Sequence, residues 1–249
     1  MSSLKSWPAC CFFLLLLACG AEADGTQPLR LVADSWPPFT DKRLPGNGAA
    51  VELVATALSR AGYPSEYHEV PWNRAILGLR RANYDVLVDS WFSDERSEWG
   101  HYSQPYLINR IRLVQRKGAD FTFTQLSDLY PYRIAVMRGY AYSGAFNADK
   151  NLQTIAVSSF ESAAHMLQLG RVDLAVEDEY VARFQFSEQL KDIADQLEFL
   201  PVPLSENELH ILIRLSHGQH AEIAKRFDAA IAAMRADGSY AAIMARHGL

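Results

Sequence analysis

Tyr84-Asp85-Val86-Leu87-Val88-Asp89-Ser90-Trp91-Phe92-Ser93-Asp94-Glu95-Arg96 carries a short apolar strand into a polar loop that ends in a guanidinium. The apolar run reads as a short strand. A planar five-donor fork held beside a strand end suits two-pronged capture of a small carboxylate. The stretch therefore points to a binder more than to a catalyst.

Working outward, the preceding residues alternate strand and helix patterns. Leu29-Arg30-Leu31-Val32-Ala33 is a strand, and Trp36-Pro37-Pro38-Phe39 is the loop whose prolines stop it. Val51, Val54, Ala55 and Leu58 follow with the spacing of one buried helix face, closed by Gly62. A strand at Ser65–Val70, a helix at Trp72–Ala82 and a strand at Asp85–Val88 complete a β-α-β-α-β order. That order predicts a largely parallel sheet covered by helices.

Downstream, Asn109–Gln115 reads as a strand leaving this unit, Lys117–Asp120 as a polar break, and Arg133–Met137 as a strand that restarts the pattern. Arg138-Gly139-Tyr140 is a turn, and Ser159–Leu169 a helix capped by Ser159 with Glu161 in its first turn. Strands are expected at Asp173–Val176, Leu197–Val202 and His210–Ile213. The last helix buries Ile223, Phe227, Ile231 and Met234 and closes at Gly238.

The first residues suggest where the domain works. Lys5 precedes an apolar run from Ala9 to Ala18 and then Ala21-Glu22-Ala23, the pattern of a secretory signal peptide cleaved after Ala23. Leu15-Leu16-Leu17-Ala18-Cys19 also reads as a lipoprotein box that would leave Cys19 acylated. Cys10, Cys11 and Cys19 all fall in this segment, so the expected mature domain has neither a disulfide nor a thiol nucleophile. It must stabilise itself by packing. At 49% hydrophobic and 21% charged residues the composition is globular, and the net charge of −5 comes without a basic stripe, which argues against nucleic acid. After the leader, no apolar stretch approaches the roughly 20 residues of a membrane helix.

Other chemistries have little support. His217-Gly218-Gln219-His220 lacks a clustered third ligand for a metal, and Ser143 lacks a nucleophile elbow. No glycine-rich phosphate loop is present in the sequence. His68 and His165 lie within expected elements, where packing or exposure is the plainer reading.

Four stretches together resemble the periplasmic solute-binding proteins of family 3, the polar amino acid type. Trp36-Pro37-Pro38-Phe39 is similar to that family's aromatic-x-Pro-Phe loop. The Tyr84-to-Arg96 stretch, with Tyr102-Ser103-Gln104-Pro105-Tyr106, resembles its strand, arginine and Phe-Ser-x-Pro-Tyr signature. Asp173-Leu174-Ala175-Val176-Glu177-Asp178 looks like its second-lobe strand ending in an acid. Ala229–Gly238 with Tyr240 and Ile243 resembles its closing pattern.

The resemblance implies an α/β type II periplasmic binding fold, two lobes joined by a two-strand hinge with ligand between them. Lobe 1 is expected at 24–115 plus 203–249 and lobe 2 at 116–202, with crossings near Leu113–Lys117 and Leu200–Pro203. Carried over by position, the family's aromatic stack falls on Trp36 and Trp72, its carboxylate-binding arginine on Arg96 and its ammonium-binding acid on Asp178. Tyr140 occupies the lobe-2 turn, where a helix N-terminus can help hold a carboxylate, and Arg74 follows the second aromatic. Each has a plainer alternative: core packing for the tryptophans, a salt bridge with Asp94 for Arg96, a solvated loop for Asp178 and the open surface for Arg74. The chain departs from the pattern at Asp89 and Trp91, where amino acid binders carry small hydroxyl residues, and near Ala141. Asp89 adds negative charge that favours an amine, and Trp91 narrows the pocket.

The expected function is periplasmic binding of an amino acid or related amine-bearing carboxylate for delivery to an inner-membrane ABC permease. The expected protein is a monomer with neither cofactor nor metal. Two alternatives share the fold: a ligand sensor for a membrane receptor, and an enzyme resembling cyclohexadienyl dehydratase. The enzyme would need a buried carboxyl of raised pKa facing the site, with Asp178, Glu179 or Asp89 as general acid.

Overall fold

The computed structural model describes residues 27–140 and 142–249. The signal-peptide and lipid-anchor readings, with Cys10, Cys11 and Cys19, lie outside the described residues, as does Ala141. Among the described residues, no helix is long and apolar enough to cross a membrane.

The first unit runs β1 (Leu29–Ala33), α1 (Ala49–Arg60), β2 (Ser65–Glu69), α2 (Trp72–Arg80) and β3 (Val86–Trp91). β1 pairs in parallel with both β2 and β3, as the β-α-β-α-β order requires. Every residue of β3 is buried, because helices cover both faces of this sheet. On one side Val32, Leu87 and Leu212 pack against Ala75 and Leu79 of α2. Opposite lies a larger core that includes Leu31, Val86 and Val88 with Leu53, Val54 and Leu58 of α1.

After β3 come α3 (Asp94–Ser97), β4 (Gly100–Tyr102) and the long β5 (Leu107–Arg116). The second unit is β6 (Arg133–Met137), α4 (Gly144–Ala148), β7 (Gln153–Val157), α5 (Phe160–Gln168), β8 (Leu174–Asp178), α6 (Glu179–Ser187) and β9 (Leu197–Phe199). β10 (Ser205–Arg214), α7 (His220–Ala236) and α8 (Ser239–Arg246) return to the first unit. There Phe227, Ile231 and Met234 of α7 join the core of α1, as their spacing predicts.

The strand order is β2-β1-β3-β10-β5-β8-β6-β7, with β4 beside β10 and β9 beside β5. The sheet is less parallel than the first unit suggests, since β10 runs antiparallel to β3 and β5 antiparallel to β8. A chain that leaves one lobe along β5 and returns along β10 must insert those strands in the opposite sense. The two strands change partners along their length. Residues 205–209 of β10 pair with 107–111 of β5, while 209–213 pair with β3. Residues 111–114 of β5 pair with β8. Two strands shared by two sheets leave a narrow, bendable connection with the strand C-termini of both units facing the gap.

A buried ion cluster ties the far end of the first sheet. Asp85 accepts two side-chain hydrogen bonds from Arg30 and two from Arg214, and one from the Arg30 backbone N–H at 3.0 Å. It thereby joins β1, β3 and β10 at their edges. Although burial opposes its charge, these arginines hold the Asp85 carboxyl down at about 2.

Candidate functional site

The loop after β1 is shaped by its backbone and by the Thr40 side chain, whose Oγ1 donates to Asp34 O at 2.7 Å. Trp36 and Thr40 form an isolated antiparallel bridge, with Trp36 N donating to Thr40 O at 2.6 Å, and the Pro37-Pro38 peptide is cis. Gly48, at φ 97°, starts α1 so close to this loop that a Cβ there would lie 2.5 Å from the Phe39 carbonyl oxygen. Only glycine permits that approach. Its consequence is a fixed Trp36 ring, tilted against Phe39 with centroids 4.7 Å apart.

Trp36, Trp72, Asp89, Arg96 and Tyr140 line one cleft together with Asp34, Trp91 and Gly139. Tyr140 comes from the loop after β6, and its ring meets Trp36 at 6.3 Å and Trp91 at 5.7 Å, both edge to face. Trp36 and Trp91 also meet edge to face at 5.7 Å. Three aromatic rings from both units thus form a continuous wall.

Arg96, carried by α3, lays its guanidinium carbon 5.2 Å from the centre of the Trp72 ring. Its Nη1 donates to the Trp91 carbonyl at 3.2 Å and to Ser90 Oγ at 3.4 Å. No salt bridge with Asp94 forms; among the described residues Arg96 has no carboxylate partner. One edge of the fork is anchored and the remaining donors are available to the cleft.

Asp178 is placed differently from the expectation that it meets the ligand. It caps α6: Oδ1 accepts from Tyr180 N at 2.9 Å and Val181 N at 3.0 Å, and Oδ2 accepts from Asn109 Nδ2 at 3.1 Å. Both oxygens are committed, and Asp178 is not among the residues lining the cleft. Burial pushes its pKa up to about 7 against the pull of these donors. Arg74 is exposed and also lies outside the lining.

Other acids stand where Asp178 was expected. Asp89 is 5% exposed; its Oδ2 has a long contact of 3.5 Å from Thr40 Oγ1, and its Oδ1 has no hydrogen-bond partner. Burial, reinforced by the nearby Asp34 charge, drives its pKa well above the carboxylate range, while Arg96 pulls the other way. Asp34 is part-buried and pushed up to about 6, mainly by burial. Glu177 is fully buried and pushed up to about 8, again by burial first, although the Asp178 backbone N–H donates to it at 2.8 Å. It lines a second hollow that shares Asp34, Trp36, Trp72 and Tyr140 with the first and also has Arg138 in its lining. The Trp36 indole N–H lies near Glu177 and favours its charged form, yet makes no well-formed hydrogen bond.

Asp34 and Glu177 were not anticipated from sequence. Asp34 directly follows the first strand, so it sits at a strand C-terminus facing the gap, a signal the sequence does contain. Glu177 alternates with Asp178 along β8, and alternation alone does not say which of two neighbouring acids faces inward.

This architecture is the type II periplasmic binding fold, and its cleft is that of a solute binder. Residues 30–249 match the family model for bacterial extracellular solute-binding proteins, family 3, and the chain belongs to that family. Similar proteins include the L-cystine-binding protein TcyJ of Escherichia coli, 24% identical over 84% of this chain and 77% of that protein. The L-arginine-binding protein of Pseudomonas aeruginosa is 24% identical over 89% of this chain and 88% of its own. A histidine kinase sensor domain with similarity to periplasmic binding proteins has the same fold, with a TM-score of 0.75 at 20% identity, covering 89% of this chain and 96% of that one.

Proposed function

We propose that this chain is a periplasmic binding protein that captures an amino acid or related small amine-bearing carboxylate and delivers it to an inner-membrane ABC permease. The observation that carries the reading is the half-anchored Arg96 fork beside an aromatic-walled cleft rich in acids. The ligand carboxylate meets the free guanidinium donors, its amine meets Asp89 and Asp34, and its body lies against Trp36, Trp72 and Tyr140. A micromolar dissociation constant corresponds to about 8 kcal/mol, within reach of one charge-assisted clamp plus aromatic burial after ordering costs. The family membership and the amino acid named in each relative support the same ligand class.

The two lobes we propose are 24–115 plus 203–249 and 116–202. The exchange of partners along β5 and β10 supports a division of this kind, and closure about those strands would bury the solute. The signal-like leader and the family's extracellular character support export, with the protein acting as a monomer and without chemistry of its own.

A second reading, a dehydratase-like enzyme, draws on one specific observation: part-buried Asp34 and buried Glu177 are acids of raised pKa at the cleft. The binding proteins among the relatives weigh against it. Incubating the protein with prephenate or arogenate decides between them, and a product formed at enzymatic rates would favour the enzyme. For the binding reading, calorimetric titration of an amino acid panel is the test, with saturable binding of at least one α-amino acid expected.

A further inference from the structure

The short strand β4 holds the loop that carries Arg96. Tyr102, its last residue, accepts from Ser93 N at 3.1 Å and donates to the Trp91 carbonyl at 3.2 Å. One phenol hydroxyl thus engages two points of the same loop, once as acceptor and once as donor. Its ring is tilted against Phe92 at 5.2 Å, meets His210 edge to face at 5.5 Å, and packs on the small core that also holds Trp72. In the Phe-Ser-x-Pro-Tyr pattern that this stretch resembles, the first ring has no hydroxyl; here it has one.

The same Trp91 carbonyl anchors Arg96. It accepts from Arg96 Nη1 at 3.2 Å and from Ser90 Oγ at 3.2 Å, and Nη1 also reaches Ser90 Oγ at 3.4 Å. With the Trp72 ring against its plane, the guanidinium is fixed on one edge and one face, and among the described residues Nε and Nη2 make no hydrogen bond. The helix that carries Arg96 gives little support of its own. α3 is a single turn, and its N-cap Ser93 makes no side-chain capping bond. A lone turn is unstable by itself, so the Tyr102 hydroxyl steadies its first residue from outside.

We propose that Tyr102 is a positioning residue of the solute site: its hydroxyl locks the Trp91-to-Arg96 loop, holds the unanchored guanidinium donors in one orientation, and so makes the site discriminate a carboxylate from a carboxamide. The inference rests on the Arg96 clamp proposed above and deepens it to the origin of its selectivity. A carboxylate offers two coplanar acceptor oxygens to the fork, whereas a carboxamide offers one and turns N–H donors toward the other arm. A fork that can swivel settles for the single oxygen. A fixed fork is left with a donor facing a donor. Tyr102 is not among the residues lining the cleft, so it acts through the Trp91 carbonyl and Ser93 rather than on the solute.

The test is calorimetric titration of wild type, Tyr102→Phe, Arg96→Ala and the double variant with L-arginine, L-histidine and L-glutamine, and with the carboxamide of whichever binds wild type most tightly. Tyr102→Phe keeps the ring and its packing. The expected result is that it weakens amino acid binding about tenfold, leaves carboxamide binding within about twofold, and changes affinity by less than about twofold in the Arg96→Ala background. The ratio of the two affinities is insensitive to the folded fraction, so it reports the role even where the variant is less stable. A hydroxyl with a merely structural role would weaken both ligands equally and add its loss to that of Arg96→Ala; either result would overturn the inference. Wild-type affinity in Tyr102→Phe beside a loss in Arg96→Ala would also overturn it, leaving the clamp intact. Equal affinity of wild type and Arg96→Ala, or no binding by any α-amino acid in a wider panel, would overturn clamp and inference together.

Discussion

Asn109 donates from Nδ2 to Asp178 Oδ2 at 3.1 Å. Its Oδ1 accepts from the Trp91 indole N–H at 2.9 Å, so one amide on the connecting strand links the cleft wall to the cap of α6. Asn109 and Asp178 are both fully buried, and neither touches water. Asn109→Leu removes both bonds and leaves an indole N–H and a carboxylate oxygen without partners. It is expected to cost about 2–4 kcal/mol of unfolding free energy in urea titration and to raise the Asp178 pKa further. A loss below about 0.5 kcal/mol would mean that water or another side chain takes the amide's place.

Asp85 gives the opposite sign of pH dependence from the cleft acids. Its folded pKa of about 2 lies below the unfolded value, so its stabilisation is present above about pH 4 and is lost as pH falls through 2. Asp85→Asn should lower stability at neutral pH by about 2–4 kcal/mol, since two arginines lose their carboxylate, and should flatten the acid limb of the unfolding curve. Equilibrium denaturation at about pH 7 and pH 3 tests both parts.

Much of this architecture could be read from residue order. The β3 run, the exact span of Arg133–Met137 and the Ser159 cap follow from apolar runs and local capping chemistry, and Ser159 Oγ does accept from Ser162 N at 3.1 Å. The antiparallel insertion of β5 and β10 was harder to see, because pairing between residues a hundred positions apart leaves no local trace. Asp178 shows the same limit more sharply. Glu-Tyr-Val-Ala-Arg-Phe-Gln-Phe after it has no clean helical stripe, so α6 went unanticipated, and an aspartate that caps a helix looked instead like an acid awaiting a ligand. The position of Arg96 at the cleft could be read more easily, because its short helix α3 follows closely behind the buried β3.

The cleft acids should make the empty protein more stable at lower pH. Asp34 and Glu177 have folded pKa values raised to about 6 and about 8, so their stabilisation is fully present below the unfolded value near 4 and is lost as pH rises through 6 to 8. Melting temperature is expected to fall between about pH 5 and pH 8.5, and Glu177→Gln should reduce that slope. A melting temperature that climbs steadily over this range would contradict the burial of these groups.

Ligand capture should register as stabilisation. A solute at 100 times its dissociation constant adds about 2.7 kcal/mol to the folded state, a shift of several degrees in a thermal melt. A panel of amino acids, polyamines, sugars and divalent metals is expected to give its hits among carboxylate-bearing amines. Hits confined to sugars or metals would require a different chemistry for the cleft.

Arg96 is where the account is most exposed. Calorimetric titration of the best amino acid hit into the wild-type protein and into Arg96→Ala measures the clamp directly. The expected result is a loss of at least about 100-fold in affinity with the melting temperature of the empty protein essentially unchanged, as for a charged hydrogen-bonding partner of a carboxylate. Equal affinity in the two proteins would contradict it.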